Sequence, residues 1–176
     1  MLRSVLASLI KLSESRGKEA AGLALLNNAA IDIYKEANRG SVFMKKKTYK
    51  DLTQSMISNE QISRSYIGVM GHTRLVTNGS MEVHENNQPV IRGAVVGIHN
   101  GIIVNDSEIF DRYHLKRNSQ VDTESLLALV ELFSKSGNSL MDILSKSFEE
   151  IYGTASVALL FGDSPFVVLA SNNGSL

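Results

Sequence analysis

Apolar residues recur at helical spacing in the first part of the chain. From Leu2 to Leu12 they stand three or four positions apart, which predicts an amphipathic helix over residues 2–15. Gly17 follows the last periodic residue and predicts the C-terminal cap of this helix.

The pattern then changes to short strands. An apolar run over 21–26, the turn signal Asn27-Asn28, and alternation at Ile31 and Ile33 together predict a β-hairpin. A short helix is predicted over 48–57, and a strand over 66–70.

The middle of the chain mixes loops and short apolar segments. Residues 78–92 have no periodicity and predict a loop, and a helix is expected from Asp106 or Ser107. Strands are predicted over 94–98 and 102–104, joined around Asn100-Gly101.

Two helices and two strands are predicted in the last third of the chain. Asp122 or Thr123 caps the first helix, Gly137 ends it, and Asn138 or Ser139 opens the second. The closing strands are expected over 154–161 and 166–170. Paired strands with few βαβ alternations favour an α+β fold with antiparallel sheets.

Composition excludes several classes of protein. Of the 176 residues, 18 are basic and 18 acidic, so no basic surplus indicates a nucleic-acid partner. No apolar stretch is long enough for a membrane span, and no signal peptide is recognised, so a cytoplasmic protein is expected. The sequence contains no cysteine, which rules out disulfides, thiolate metal sites and a thiol nucleophile from these residues.

Three polar positions could carry chemistry, and each has a structural alternative. Arg74 at a strand end can clamp a carboxylate, or can form a surface salt bridge. Asn100-Gly101 can form an oxyanion hole, and is also the strongest short signal for a hairpin turn. Asp122 can accept an ammonium group, or can simply cap the following helix. The four histidines show no metal-ligand spacing, so neither a metal nor another cofactor is expected.

Taken together, several segments of the chain resemble the class II glutamine amidotransferases, which are N-terminal-nucleophile hydrolases. The resemblance covers nearly the whole chain, and the chain is most similar to the hexosamine-forming branch, the glutamine–fructose-6-phosphate aminotransferases. The similar segments are 16–24, 71–79, 87–89, 99–103, 122–124 and 173–176. The segment Asn87-Gln88-Pro89 is instead more similar to the purine-pathway branch, so the resemblance does not identify the acceptor substrate.

The resemblance implies a fold, a reaction and a set of site residues. The fold would be a four-layer αββα sandwich of two antiparallel sheets, and the reaction the hydrolysis of L-glutamine with transfer of ammonia to an acceptor, such as a sugar phosphate. Arg74 would hold the α-carboxylate of glutamine and Asp122 its α-ammonium. Asn100 and Gly101 would stabilise the oxyanion, and Thr77 and Asn78 would line the pocket.

The sequence departs from the family pattern in three places. Leu75 stands where the family has tryptophan, and Asn78 where it has histidine. The family's N-terminal Cys-Gly-Ile, whose thiol attacks and whose α-amine is the base, is absent.

Two explanations of the absent cysteine stay open. Residues 1–176 are expected to be one glutaminase domain lacking an N-terminal strand and followed by an acceptor domain or subunit that the chain does not contain. Alternatively, the chain is a module of the same fold that binds glutamine without hydrolysing it. Loss of a strand would expose a sheet edge, so either marginal stability or self-association into a homo-oligomer is also expected.

Overall fold

The computed structural model describes residues 2–27, 30–58, 67–76 and 78–173. It divides into two compact units, residues 1–89 and 90–176. Each unit contains one antiparallel sheet with helices, which confirms the predicted α+β class.

The first unit is built on a three-stranded sheet in the order β2-β1-β3. Its strands are β1 Ala20–Asn27, β2 Ala30–Glu36 and β3 Ile67–Arg74, and its helices are α1 Leu2–Ser13, α2 Gly40–Phe43 and α3 Lys47–Ser58. The helices predicted over 2–15 and 48–57 and the strands of the predicted hairpin are therefore confirmed. The hairpin turn at residues 28 and 29 lies outside the described part of the chain.

The core of this unit lies on one face of the central strand β1. Alternate residues Ala21, Leu23 and Leu25 pack there with apolar side chains of α1 and with Phe43 and Tyr49. The opposite face of β1 carries smaller side chains, among them Ala20 and Gly22. This difference leaves room on that face for a segment of backbone.

The second unit is built on a four-stranded sheet in the order β4-β5-β6-β7. Its strands are β4 Val90–Arg92, β5 Val95–Ile103, β6 Gly153–Phe161 and β7 Ser164–Ser171. Its helices are α4 Asp106–Arg112, α5 Thr123–Ser134 and α6 Leu140–Glu150. The core joins buried residues of α5 and α6 to β5 and β6, including Leu127, Leu129, Leu144, Val157 and Leu159.

Two local predictions are wrong. Asn100-Gly101 is not a turn, because β5 runs unbroken from Val95 to Ile103 and pairs along its whole length with β6. The predicted loop over 78–92 ends early, since β4 begins at Val90. Gly17 follows the helical turn Glu14–Arg16 as its C-terminal cap, as predicted, and its backbone there is extended (φ −168°).

Gly17 also lies close to the end of β3, where there is no room for a side chain. A Cβ atom at this position would lie 2.2 Å from the carbonyl carbon of Arg74. The glycine thus allows the chain after α1 to pass directly against the end of β3, where Glu19 also donates its N–H to the Arg74 carbonyl at 3.2 Å.

Candidate functional site

Arg74 ends β3 and is buried, with 4% of its surface exposed. Its Nη1 donates to Asn87 Oδ1 at 3.0 Å, and its Nη2 donates to the carbonyl oxygens of Asn78 and, at 3.1 Å, Gly79. The surface salt bridge is therefore the wrong alternative for this residue. The guanidinium is held in place by neutral oxygens of the loop that follows β3.

The loop after β3 is also joined to residues 86 and 87. Asn86 Nδ2 donates to the Ser80 carbonyl at 2.9 Å, and Asn87 Nδ2 donates to the Met81 carbonyl at 2.6 Å. Both asparagines are buried. The two segments therefore fix each other and the oxygens that receive the Arg74 side chain.

Lys35 in β2 is a second buried cation beside these residues, with 5% of its surface exposed. Its Nζ donates to the carbonyl oxygens of Asn87 at 2.7 Å and Pro89 at 2.9 Å. Burial lowers the pKa of Lys35 to about 8; the Glu85 carboxylate acts in the opposite direction, and the Arg74 charge lowers the pKa further. No local pattern indicates this role for Lys35, because a lysine in an alternating strand normally faces solvent.

This pKa predicts how stability depends on pH. An unfolded lysine titrates near pH 10.4, so between about pH 8 and pH 10 the unfolded state binds more protons than the folded state. The contribution of Lys35 to the free energy of unfolding therefore rises with pH in that window and is flat below it. Urea unfolding from pH 6 to pH 10 measures this contribution as the free energy of unfolding of the unaltered chain minus that of Lys35→Met. A difference that is constant or falls with pH would contradict the prediction.

In the second unit, Asn100 and Gly101 lie within β5 opposite Ser156 and Ala155 of β6. Gly101 has a φ of +145°, and a Cβ atom there would lie 2.0 Å from the Thr154 carbonyl oxygen. The Asn100 side chain is exposed. An exposed amide next to a backbone that admits only glycine is suited to stabilise an oxyanion.

Asp122 immediately precedes α5 and contacts both that helix and β5. Its Oδ1 accepts the N–H of Thr123 at 3.0 Å, and its Oδ2 accepts the N–H of Ile103 at 2.8 Å. The predicted cap is confirmed. A carboxylate has about four acceptor positions, so these two bonds leave it able to accept from an ammonium group as well.

His99 supports this arrangement from within β5. The ring is buried, with Nδ1 3.3 Å from Thr123 Oγ1 and 4.0 Å from Asp122 Oδ2, and with Nε2 3.3 Å from the Thr154 carbonyl oxygen. His99 thus lies against the start of α5 and against the Thr154 carbonyl, which Gly101 also approaches closely.

A buried ion pair holds the chain that leads into Asp122. The Glu124 carboxylate has no exposed surface and accepts from Arg92 Nη1 at 2.7 Å. It also accepts the backbone N–H groups of Asn118 and Ser119, at 2.9 and 2.6 Å, and the Ser119 hydroxyl at 2.7 Å. Glu124 lies in the 122–124 motif, but no local pattern in the sequence indicates this role.

The structure brings the predicted site residues together in two groups. Arg74 and Asn78 are in contact in the first unit, although Asn78 contributes its backbone carbonyl. Asn100, Gly101 and Asp122 are neighbours in the second unit, where Asp122 binds the N–H two residues after Gly101. Thr77 lies outside the described residues.

The described residues contain neither a metal-binding cluster nor a membrane-spanning helix. In the ranges given above, no three His, Asp or Glu side chains are grouped so that they could hold a metal ion. Within the same ranges, no helix combines the length and apolar character needed to cross a bilayer.

Comparison with known proteins supplies relatives of this chain. Glutamine–fructose-6-phosphate aminotransferase (isomerizing) of Staphylococcus aureus is 30% identical over 166 residues, which are 92% of this chain and 26% of that protein. The enzyme of the same name from Staphylococcus epidermidis is 28% identical over 166 residues. The chain thus spans about a quarter of the length of these curated relatives.

Solved structures share the fold. Glutamine phosphoribosylpyrophosphate amidotransferase from B. subtilis, in complex with ADP and GMP, aligns with a TM-score of 0.63 and 19% identity, over 93% of this chain and 33% of that one. A structure described as the allosteric regulatory enzyme of purine biosynthesis aligns with a TM-score of 0.64 and 19% identity, over 92% of this chain and 33% of that one.

A family model also matches a large part of the sequence. The model is described as a glutamine amidotransferase domain and matches residues 72–174, which are more than half of the chain and include every predicted site residue. The chain therefore belongs to the glutamine amidotransferase domain family.

Proposed function

We propose that this chain is the glutamine-hydrolysing domain of an amidotransferase, which releases ammonia for transfer to an acceptor. The observation that carries the proposal is the grouping of Asn100, Gly101 and Asp122 around β5 within a chain of this family. An amide, a close backbone approach and a carboxylate with acceptor capacity suit a substrate that has both an amide and an ammonium group.

Each site residue has a role in this proposal. Arg74 binds the α-carboxylate of glutamine, and Asp122 binds its α-ammonium. Asn100 and the Gly101 N–H stabilise the oxyanion that forms when a nucleophile attacks the side-chain amide. Thr77 and Asn78 line the pocket.

The nucleophile must come from outside the 176 residues, because they include no cysteine. In the reaction we propose, the cysteine thiol passes its proton to the α-amine and its sulfur attacks the amide carbon. The C–N bond breaks and that proton goes to the nitrogen, which leaves as ammonia; water then cleaves the thioester to give glutamate and the free thiol. The chain as printed should therefore bind glutamine but release no ammonia from it.

The test is to supply the nucleophile. A chain extended at its N-terminus by a strand beginning Cys-Gly-Ile is expected to release ammonia from glutamine, measured with a coupled glutamate dehydrogenase assay. The same extension beginning with alanine is the matched control and should be inactive. A folded cysteine variant with no more activity than this control would refute the proposed function.

A second candidate function is a glutamine-binding module that does not hydrolyse its ligand. The specific observation that favours it is the absence of cysteine from the sequence. Both candidates expect binding in isothermal titration calorimetry, and both expect Arg74→Ala and Asp122→Asn to weaken it. Only the first expects turnover after the cysteine strand is added.

The acceptor, the location and the assembly are finer parts of the proposal. The names of the curated relatives support a sugar phosphate as acceptor, held by a domain or subunit outside this chain. A cytoplasmic location stays a prediction. Self-association is supported by exposed apolar side chains along α1, which are Leu2, Val5, Leu9 and Leu12. Sedimentation velocity would test whether the chain self-associates.

A further inference from the structure

Two buried cations of the first unit approach the same short segment, residues 86–89. Lys35 and Arg74 belong to β2 and β3, which flank the central strand β1. In the sheet register Lys35 lies opposite Gly22, and Arg74 lies opposite Ala20. Because Ala20 and Gly22 are two residues apart on one strand, both cations lie on the same face of the sheet.

At Gly22, residues 88 and 89 pass directly against the sheet. A Cβ atom on Gly22 would lie 2.0 Å from the Gln88 carbonyl oxygen. The segment therefore rests directly on the backbone of β1, between the side chains of Lys35 and Arg74.

Asn87 connects the two cations. Its backbone oxygen accepts from Lys35 Nζ at 2.7 Å, and its side-chain Oδ1 accepts from Arg74 Nη1 at 3.0 Å. Its Nδ2 binds the Met81 carbonyl, in the same loop whose Asn78 and Gly79 carbonyls receive Arg74 Nη2. Asn87 therefore contributes to the direction of the guanidinium twice, through its own Oδ1 and through its bond to the loop that receives Nη2.

We infer that Lys35 is a positioning residue for the substrate carboxylate: by holding the Asn87 backbone it orients the Arg74 guanidinium. This inference rests on the proposed function, in which Arg74 binds that carboxylate. The direct hydrogen bonds of Lys35 go to Asn87 and Pro89, so it acts through Asn87.

The charge of Lys35 supports a role beyond packing. Taking an ammonium group out of water is costly, and burial accordingly lowers its pKa to about 8. A methionine could fill similar volume without that cost. What methionine cannot provide is a group that donates to two carbonyl oxygens at once.

The experiment compares Lys35→Met and Lys35→Arg with the unaltered chain. Lys46→Met is the matched control, because Lys46 is a half-exposed lysine of the same unit that pairs with Glu36 at 3.3 Å. Two quantities are measured: amide hydrogen exchange of peptides covering residues 78–88, and calorimetric affinity for glutamine and for its α-amide, which lacks the carboxylate.

Lys35→Met is expected to speed exchange in residues 78–88 and to weaken glutamine binding about tenfold, the scale of one charge-assisted hydrogen bond. Binding of the α-amide should change little, so the preference for glutamine over the α-amide should fall. Lys35→Arg should restore part of that preference, and Lys46→Met should match the unaltered chain. A purely structural role for Lys35 would weaken both ligands equally.

Three results would overturn the inference. They are unchanged exchange in residues 78–88, unchanged glutamine affinity despite faster exchange, and equal weakening of both ligands. If the unaltered chain binds no glutamine, the proposed function fails, and with it the substrate part of the inference; hydrogen exchange then decides separately whether Lys35 holds Asn87.

Discussion

Replacing Gly101 by alanine is expected to be among the most damaging single substitutions in the second unit. The added Cβ would lie 2.0 Å from the Thr154 carbonyl oxygen and 2.8 Å from His99 Nε2. The backbone at Gly101, with φ +145°, is also one that other residues rarely adopt. Since β5 and β6 would have to separate, we expect a loss of about 3 kcal/mol or more in the free energy of unfolding, the range of severe single mutations.

Gly137→Ala is the matched control for this prediction. Gly137 also has a positive φ, +68°, but nothing lies within 4 Å of the position of its Cβ. Alanine there should cost only about 1 kcal/mol, the penalty for a left-handed conformation. Urea unfolding of both variants separates the contact with Thr154 from backbone strain, and equal losses would show that the close approach at Gly101 is not the cause.

Gly101→Ala also tests the proposed site. In the chain extended by a cysteine strand, a misplaced Gly101 N–H should lower kcat by about 100-fold or more, the effect of losing an oxyanion donor. Gly137→Ala in that extended chain should keep its activity, because Gly137 lies after the end of α5.

Elements with a long periodic pattern could be predicted from the sequence, whereas a short local signal predicted the wrong structure. The helices α5 and α6 have several turns of apolar spacing, so their existence and their caps were predicted correctly. The turn predicted at Asn100-Gly101 does not form, because its signal is a local preference of two residues. Nine consecutive pairs between β5 and β6, from Val95 to Ile103, outweigh the preference of two residues.

The candidate site shows the same difference between local and distant information. Arg74, Asn100 and Asp122 were identified because each stands in a recognisable motif. The contact of Lys35 with Asn87 joins residues 52 positions apart, and no local pattern indicates it. The position of Lys35 beside residues 87–89 follows from the sheet register, which places it opposite Gly22.

Glu124→Gln is expected to destabilise the second unit strongly although it changes one atom of the side chain. The Glu124 carboxylate is fully buried and receives Arg92 as well as the N–H groups of Asn118 and Ser119. Glutamine would turn an N–H₂ group toward donors and leave Arg92 without its buried counter-charge. Breaking a buried pair by changing one partner costs about 3–5 kcal/mol, which corresponds to a melting temperature lower by roughly 6–20 °C at this chain length.

Glu131→Gln provides the comparison, because Glu131 accepts from Nε of the same Arg92 at 2.8 Å but is 29% exposed. Water can replace that partner, so the loss should be about 1 kcal/mol or less, as for exposed ion pairs. Glu124→Gln should also weaken glutamine binding, because Glu124 holds residues 118 and 119 just before Asp122. Equal melting temperatures for the two variants would mean that burial of the Glu124 carboxylate does not determine its contribution. Unchanged glutamine binding would mean that Asp122 is held in place by its bond to Ile103.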